Sequence, residues 1–171
     1  MLETERLLLR RWRTADRGQF ALINGDPAVM EYFPALLSRE ESDTAVDWIE
    51  AHFDRHGFGW WAAELRESKK FIGFIGLAVP GFEAAFTPCV EIGWRLAGCH
   101  WGKGLATEGA RAAMHHAFGD LKLQSLVSFT VPANVRSRRV MEKLGMTRNA
   151  ADDFDHPDLP DGHRLRRDSR E

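Results

Sequence analysis

Apolar positions along the chain follow two rhythms, and the change between them falls at Gly57 and Gly59. Before that point, Arg6 to Trp12 (RLLLRRW) has a continuous apolar middle and predicts a first strand. Thr14-Ala15-Asp16 predicts a helix cap ahead of Phe20, Ala21, Leu22 and Ile23. Asp26-Pro27 predicts a further helical turn, since proline is tolerated where a first-turn amide has no partner. Ser38-Arg39-Glu40-Glu41 has the spacing of a capping box. The helix it opens carries Ala45, Trp48, Ile49, Ala51, His52 and Phe53 close to a 3.6 period.

After Gly59 the period shortens. Trp60 to Leu65, Phe71 to Val79 and Val90 to Leu96 read as consecutive strands, the first two joined at Arg66-Glu67-Ser68-Lys69. On the third, Val90, Ile92, Trp94 and Leu96 share one face, while Glu91, Gly93 and Arg95 share the other. A helix from Gly104 to about Ala117, a strand from Ser125 to Val131 and a helix from Val135 to Leu144 complete the order. Ala106, Ala110, Ala113 and Ala117 give the first of these helices a small-residue stripe for close packing on a sheet, and Gly145 supplies a left-handed stop for the second. The order predicts one α/β (α+β) domain with a mixed, mostly antiparallel sheet and helices on both faces.

Composition narrows the function classes. A chain of 171 residues, 44% apolar and 28% charged, suits one ordinary globular domain. A net charge of -2 offers no cationic surplus for a phosphate backbone, so no nucleic-acid partner is expected. The uncharged run Phe71 to Phe82 is too short to span a bilayer, and the first residues are charged where a signal peptide would be apolar. A cytoplasmic setting without membrane contact is the expectation. Cys89 and Cys99 have no metal or redox spacing. His52 and His56 are four apart but lack an accompanying acid, and His115 and His116 point different ways, so no metal is expected.

The segment His100-Trp101-Gly102-Lys103-Gly104-Leu105-Ala106-Thr107-Glu108 follows a strand and opens a helix. Free amides at a helix start carry partial positive charge, and glycines let an anion approach the backbone. This is neither a Walker A loop nor a dinucleotide fingerprint. A tight turn and a pyrophosphate cradle both fit it.

Taken with Val90-Glu91-Ile92-Gly93-Trp94-Arg95-Leu96, Ala133-Asn134-Val135-Arg136-Ser137 and Glu142-Lys143-Leu144-Gly145-Met146, the segment resembles the GNAT superfamily of acetyl-CoA-dependent N-acetyltransferases. Within it the chain is most similar to the ribosomal-protein N-terminal acetyltransferase branch. The family's Gln/Arg-x-x-Gly-x-Gly/Ala motif maps onto Trp101, Gly104 and Ala106. The resemblance implies that amides of Gly102, Lys103, Gly104, Leu105, Ala106 and Thr107 bind the CoA pyrophosphate. It also implies that Trp94, Arg95, Leu96 and Asn134 hold the pantetheine arm, between a strand ending at Leu96 and one from Ser125 to Val131 that splay apart.

Acetyl transfer to an amine needs a base, and Glu91 is the candidate, directly or through water. A carboxylate paired with Arg95, or one on an exposed sheet face, fits the same pattern. Asn134 reads as a helix cap for the Ser137 amide. Met141 stands where many relatives have a tyrosine, so the resemblance leaves the departing thiolate to be assisted by Ser137 or by solvent. Tyr32, the sole tyrosine, is expected to lie far away in the first helical region. The acidic run from Asp152 to Asp161, with His156 and His163 around it, reads as a solvated loop that the resemblance sets beside the acceptor. The polar end from Arg164 to Glu171 is expected to be a loose tail, the family's last strand missing, with the domain ending near residue 163.

The expected activity is transfer of acetyl from acetyl-CoA to a primary amine, either a protein N-terminus or a small molecule, by direct attack. A catalytically weak acyl-CoA-binding or regulatory module is the alternative, and a nucleotide-binding domain a weaker one. Monomer and homodimer both remain open.

Overall fold

Alternation and capping produce the following order in the computed structural model, which describes residues 1–156 and 164–171. The strands are β1 (Leu2–Glu3), β2 (Leu7–Arg10), β3 (Trp60–Leu65), β4 (Phe71–Ala78), β5 (Glu91–Leu96), β6 (Leu126–Thr130), β7 (Thr147–Arg148), β8 (Phe154–Asp155) and β9 (Arg164–Arg170). The helices are α1 (Asp16–Asn24), α2 (Arg39–His56), α3 (Leu105–Gly119) and α4 (Val135–Lys143). Spatial order across the sheet is β1-β2-β3-β4-β5-β6-β9-β7, with β8 also pairing β9. Every pair is antiparallel except β5 with β6.

β4 (FIGFIGLA) is buried along its whole length because helices cover both of its faces. Phe74 points toward α1, where Phe20 meets it edge-on at 6.0 Å, while Ile75 points toward α3. The α3 stripe is a packing device as expected: Ala110, Ala113 and Ala117 are fully buried. Gly109 completes it. A Cβ there would sit 2.5 Å from Ile75 and 3.2 Å from Leu7, so only hydrogen allows the helix this close to the sheet.

Ser38 and Glu41 form the reciprocal capping box, with the Glu41 amide donating to Ser38 at 3.2 Å and the Ser38 amide to Glu41 at 2.7 Å. The start of α1 differs from expectation. Its cap position is Ala15, with no side-chain bond, because the Asp16 carboxylate accepts from Arg10 and from the Arg13 amide instead. Asp26-Pro27 makes turns rather than a helix, with the Asp26 carbonyl accepting from both Val29 and Met30.

The end of the chain corrects the sequence reading. Residues 164–170 are a strand, and Leu126 to Thr130 pair with Arg170 to Arg166 along its length. Its charges are satisfied rather than solvated. Arg166 and Asp168, on one face, form a buried ion pair at 2.5 and 2.6 Å. Arg167, on the other, binds Asp152 at 2.9 Å and lies 4.6 Å over the Phe86 ring. Pairing and aliphatic stems let an arginine-rich strand sit in a sheet that hydropathy alone would deny it.

His52 is buried and structural. Its Nδ1–H donates to the Phe58 carbonyl at 2.9 Å, and its Nε2 accepts from the Val79 amide at 2.9 Å. Burial holds its pKa below the ordinary histidine value. Protonation would put a hydrogen where Val79 donates, so the stability His52 confers is present above about pH 6.5 and is lost as pH falls through the lowered folded value. Thermal melts of wild type and His52→Leu should therefore differ by roughly 1–2 kcal/mol at pH 7.5, with the difference shrinking as pH falls through the lowered folded value.

Candidate active site

The site begins where the sheet fails to close. β5 and β6 run parallel but share one Cα pairing, Glu91 with Val127, reinforced by the Val127 amide donating to the Val90 carbonyl at 3.0 Å. No further rung joins them, and a cleft of about 500 Å³ opens between Trp94–Leu96 and Phe129–Thr130. Trp94, Arg95, Leu96, Asn134, Glu91 and Ser137 all line it, as do Gly102, Gly104, Leu105, Ala106 and Thr107.

At one end lies the loop between β5 and α3. It is tied from outside: Trp101 Nε1 donates to the Leu96 carbonyl at 2.8 Å, Arg6 Nη1 to the Lys103 carbonyl at 2.9 Å, and Lys103 Nζ to the Cys99 carbonyl at 2.8 Å. Lys103 thus turns its ammonium back onto its own loop, and it is the one predicted site residue that does not line the cleft. Gly104, at φ +77°, is the cap position of α3 and has no side-chain cap. Among the described residues, the backbone N–H groups of Gly102 to Thr107 have no protein acceptor; the Glu108 amide is the first to find one, the Gly104 carbonyl at 3.0 Å. Six unmet donors at a helix start form an anion cradle. Glu108, whose charge would oppose an anion, is neutralised by Arg6 at 2.6 Å and accepts from Thr4 at 2.6 Å.

Across the cleft, α4 begins at Asn134, whose Oδ1 accepts from the Ser137 amide at 3.1 Å, so the predicted cap is present. The Ser137 side chain is partly buried at the cleft wall, without a protein hydrogen bond among the described residues. Met141 is fully buried in the core.

Glu91 stands at the closed end of the splay, partly buried, with no ion partner among the described residues. The alternative pairing with Arg95 is not made; Arg95 Nη1 donates instead to Asn24 Oδ1 at 2.7 Å. Desolvation pushes the Glu91 carboxyl up to about 8, so at neutral pH it is poised between accepting and holding a proton. Gly93 leaves an opening beside it, bordered by Trp60 Nε1 and Glu91 Oε1.

Tyr32 corrects the sequence reading, because the α1–α2 connection folds over the cleft and brings it into the wall. Next to it, Glu31 pairs with Arg136 at 2.8 Å, and the Arg136 guanidinium lies 4.4 Å over Trp101 and 5.9 Å over Tyr32. Neither was legible in periodicity. The aromatic pair Tyr32-Phe33 in the connection between the first two helices was the available signal. Of the acidic run, Asp152 pairs with Arg167 and Asp153 with Arg148, whereas Asp158, Asp161 and His163 lie outside the described residues. Among the described residues no cluster of metal-ligating side chains is present, and no helix is long and apolar enough to cross a membrane.

A mixed sheet split around one parallel pair, with a helix start offering free amides at the mouth, suits an anion at one end of an open slot. Residues 6–147 match the family model described as an acetyltransferase (GNAT) domain, and the chain belongs to this family of acetyl-CoA-dependent acetyltransferases. It is 32% identical over 146 residues to the uncharacterized protein YkkB of Bacillus subtilis, covering 85% of this chain and 84% of that one. An acetyltransferase from Agrobacterium tumefaciens superposes with a TM-score of 0.81 at 27% identity, over 99% of this chain and 93% of that one. Mycobacterium smegmatis RimJ, solved with CoA-disulfide, shares the fold at 19% identity, with a TM-score of 0.73 over 95% and 80% of the two chains.

Proposed function

We propose that the chain moves an acetyl group from acetyl-CoA to a primary amine by direct attack while both substrates are bound. The observation that carries this reading is the run of six unmet amides from Gly102 to Thr107 at the mouth of the gap between β5 and β6. An extended cofactor with a diphosphate fits that arrangement, its phosphates at the α3 start and its arm along the open edge of Trp94 to Leu96. Acetyl-CoA supplies the acyl group as a thioester.

The remaining tasks fall to side chains. Asn134 Nδ2 has no partner among the described residues and is free to donate to the arm while Oδ1 caps α4. Glu91, deprotonated, takes the proton released by the attacking amine, directly or through a water beside Gly93. The task of hydrogen-bonding the departing sulfur falls to Ser137, which lines the cleft from α4. An α-amine, with pKa near ~8, asks less of this base than a lysine amine near ~10.4.

Calorimetric titration with CoA, followed by thiol release from acetyl-CoA across a panel of amines, tests the reading. Binding with turnover supports it. Binding without turnover supports the non-catalytic module that the buried Met141 would suit, and no binding overturns both. Gly104→Val supplies the structural control. A β-branched residue at φ +77° costs about 1–3 kcal/mol, and the strain is relieved by turning the loop amides away. CoA affinity should fall at least tenfold while the circular dichroism spectrum at 25 °C stays that of the wild type.

A further inference from the structure

On the face of β5 that looks toward α1, the cleft holds a cation with no counter-ion among the described residues. Among the described residues Arg95 has no carboxylate partner; its one bond runs from Nη1 to Asn24, whose own amide donates to Ser42 at 2.9 Å. Its Nε is buried with nothing to donate to. The guanidinium is held between two rings that line the cleft, 4.1 Å over Phe33 and 5.6 Å from Phe74. Burial lowers its pKa to about 10, a measure of how poorly its charge is met. An uncompensated cation in a desolvated wall is costly, and a protein retains one where a ligand supplies the opposite charge.

A second donor on the same face is also unmet. Trp60 Nε1 is buried without an acceptor, and it lies 3.3 Å from where a Gly93 Cβ would stand. Trp60 stacks on Phe74 with ring centroids 4.8 Å apart, so an aromatic floor runs from the Gly93 opening to Arg95. The face therefore presents an acceptor, Glu91, and the outer end of a cation, Arg95, joined by apolar rings, with the unmet Trp60 Nε1 and Arg95 Nε donors buried behind them.

We infer that the acceptor is a zwitterion, a primary amine that carries a carboxylate, with its amine toward Glu91, its carboxylate on the free guanidinium edge of Arg95, and its apolar body on Trp60 and Phe74. This deepens the acetyltransfer reading and rests on it. Polyamines bring positive charge and no acceptor to a wall that already contains Arg95, and aminoglycosides bring several positive charges with only neutral oxygens to meet the guanidinium. A carboxylate satisfies the fork in the bidentate geometry that guanidinium groups favour.

The test compares ω-amino acids with the amines that remain when the carboxylate is removed: 5-aminopentanoate with butylamine, 8-aminooctanoate with heptylamine, and 4-(aminomethyl)benzoate with benzylamine, with spermidine as the cationic contrast. Initial rates of thiol release from acetyl-CoA are measured for each, corrected for the neutral fraction of the amine. The expected result is a kcat/KM at least tenfold higher for the carboxylated member of at least one pair, expressed in KM more than in kcat, and higher than that for spermidine. Arg95→Gln should collapse this ratio toward one, with Arg95→Lys between the two; any general loss cancels in the ratio. A ratio under tenfold in every wild-type pair, preference for spermidine, or a ratio unchanged in Arg95→Gln overturns the inference alone. No turnover with any amine overturns the acetyltransfer reading and this one with it. The wild-type comparison decides the matter even if the variants do not fold.

Discussion

Glu91→Gln is expected to lower kcat/KM at least tenfold and toward about 100-fold at neutral pH, with CoA affinity nearly unchanged. The amide cannot take a proton, whereas the amides that would grip the diphosphate lie at the opposite end of the cleft. The pH profile carries more information than the single rate. A base must be unprotonated to act, and desolvation holds the Glu91 carboxyl near 8. With an acceptor whose own amine titrates well below 8, wild-type kcat/KM should climb as pH rises through about 8, and this limb should vanish in the variant. Linkage gives an independent check. A carboxyl whose folded pKa is raised destabilises the fold progressively as pH rises from its unfolded value through about 8. Glu91→Gln should therefore melt higher than wild type at pH 8.5 and show little difference at pH 5. A flat rate profile with equal melting temperatures would remove Glu91 from the mechanism.

The largest loss of stability is expected from Arg10→Met. Arg10 donates to Asp16 at 2.7 and 2.9 Å and to Glu64 at 2.8 Å, and all three side chains are buried. Its hydrogen bonds to Asp16 and then to Glu64, against the cost of burial, hold the guanidinium above its ordinary value. Removing it strands two carboxylates in the interior, a change that costs about 3–5 kcal/mol. Arg13 still reaches Glu64 at 3.0 Å, but its side chain is mostly exposed and offsets little. At roughly 2–4 °C per kcal/mol, the melting temperature should drop by about 10 °C. The triple variant Arg10→Met, Asp16→Asn, Glu64→Gln should recover a substantial part of it. If the single variant melts within 2 °C or so of wild type, the buried network is not a stabilising element.

The consequence reaches the site, because α1 begins at Asp16 and ends at Asn24, the residue that holds Arg95.

Much of this was legible in the amino-acid order because the relevant signals are local. Gly102 and Gly104 at a strand-to-helix junction announce a backbone that an anion can approach, and Asn134 three residues before Ser137 announces a cap. The capping box at Ser38 and Glu41 is equally local. What escaped depends on contacts between distant residues. Arg166 and Asp168 satisfy each other two positions apart, yet nothing in RLRRDSR says that β6 waits beside it. Tyr32 lies in a connection without periodicity, and only the fold of that connection carries it to the cleft. Alternation placed Glu91, Gly93 and Arg95 on one face, but the choice of Asn24 as the partner of Arg95 belongs to tertiary packing.

The one-rung junction of β5 with β6 has a mechanical corollary. Past Val127, β6 is held on its other edge by β9 alone, and β9 is fixed in turn by its pairing with β7 and β8, by Arg167 binding Asp152 and by Arg170 donating to the Leu144 carbonyl. The width of the slot is thus set by a clamp applied from its outer side, by residues that never meet a substrate. Changes made there would act like a loosened hinge on a door leaf, altering how tightly the thioester arm is held before they unfold anything.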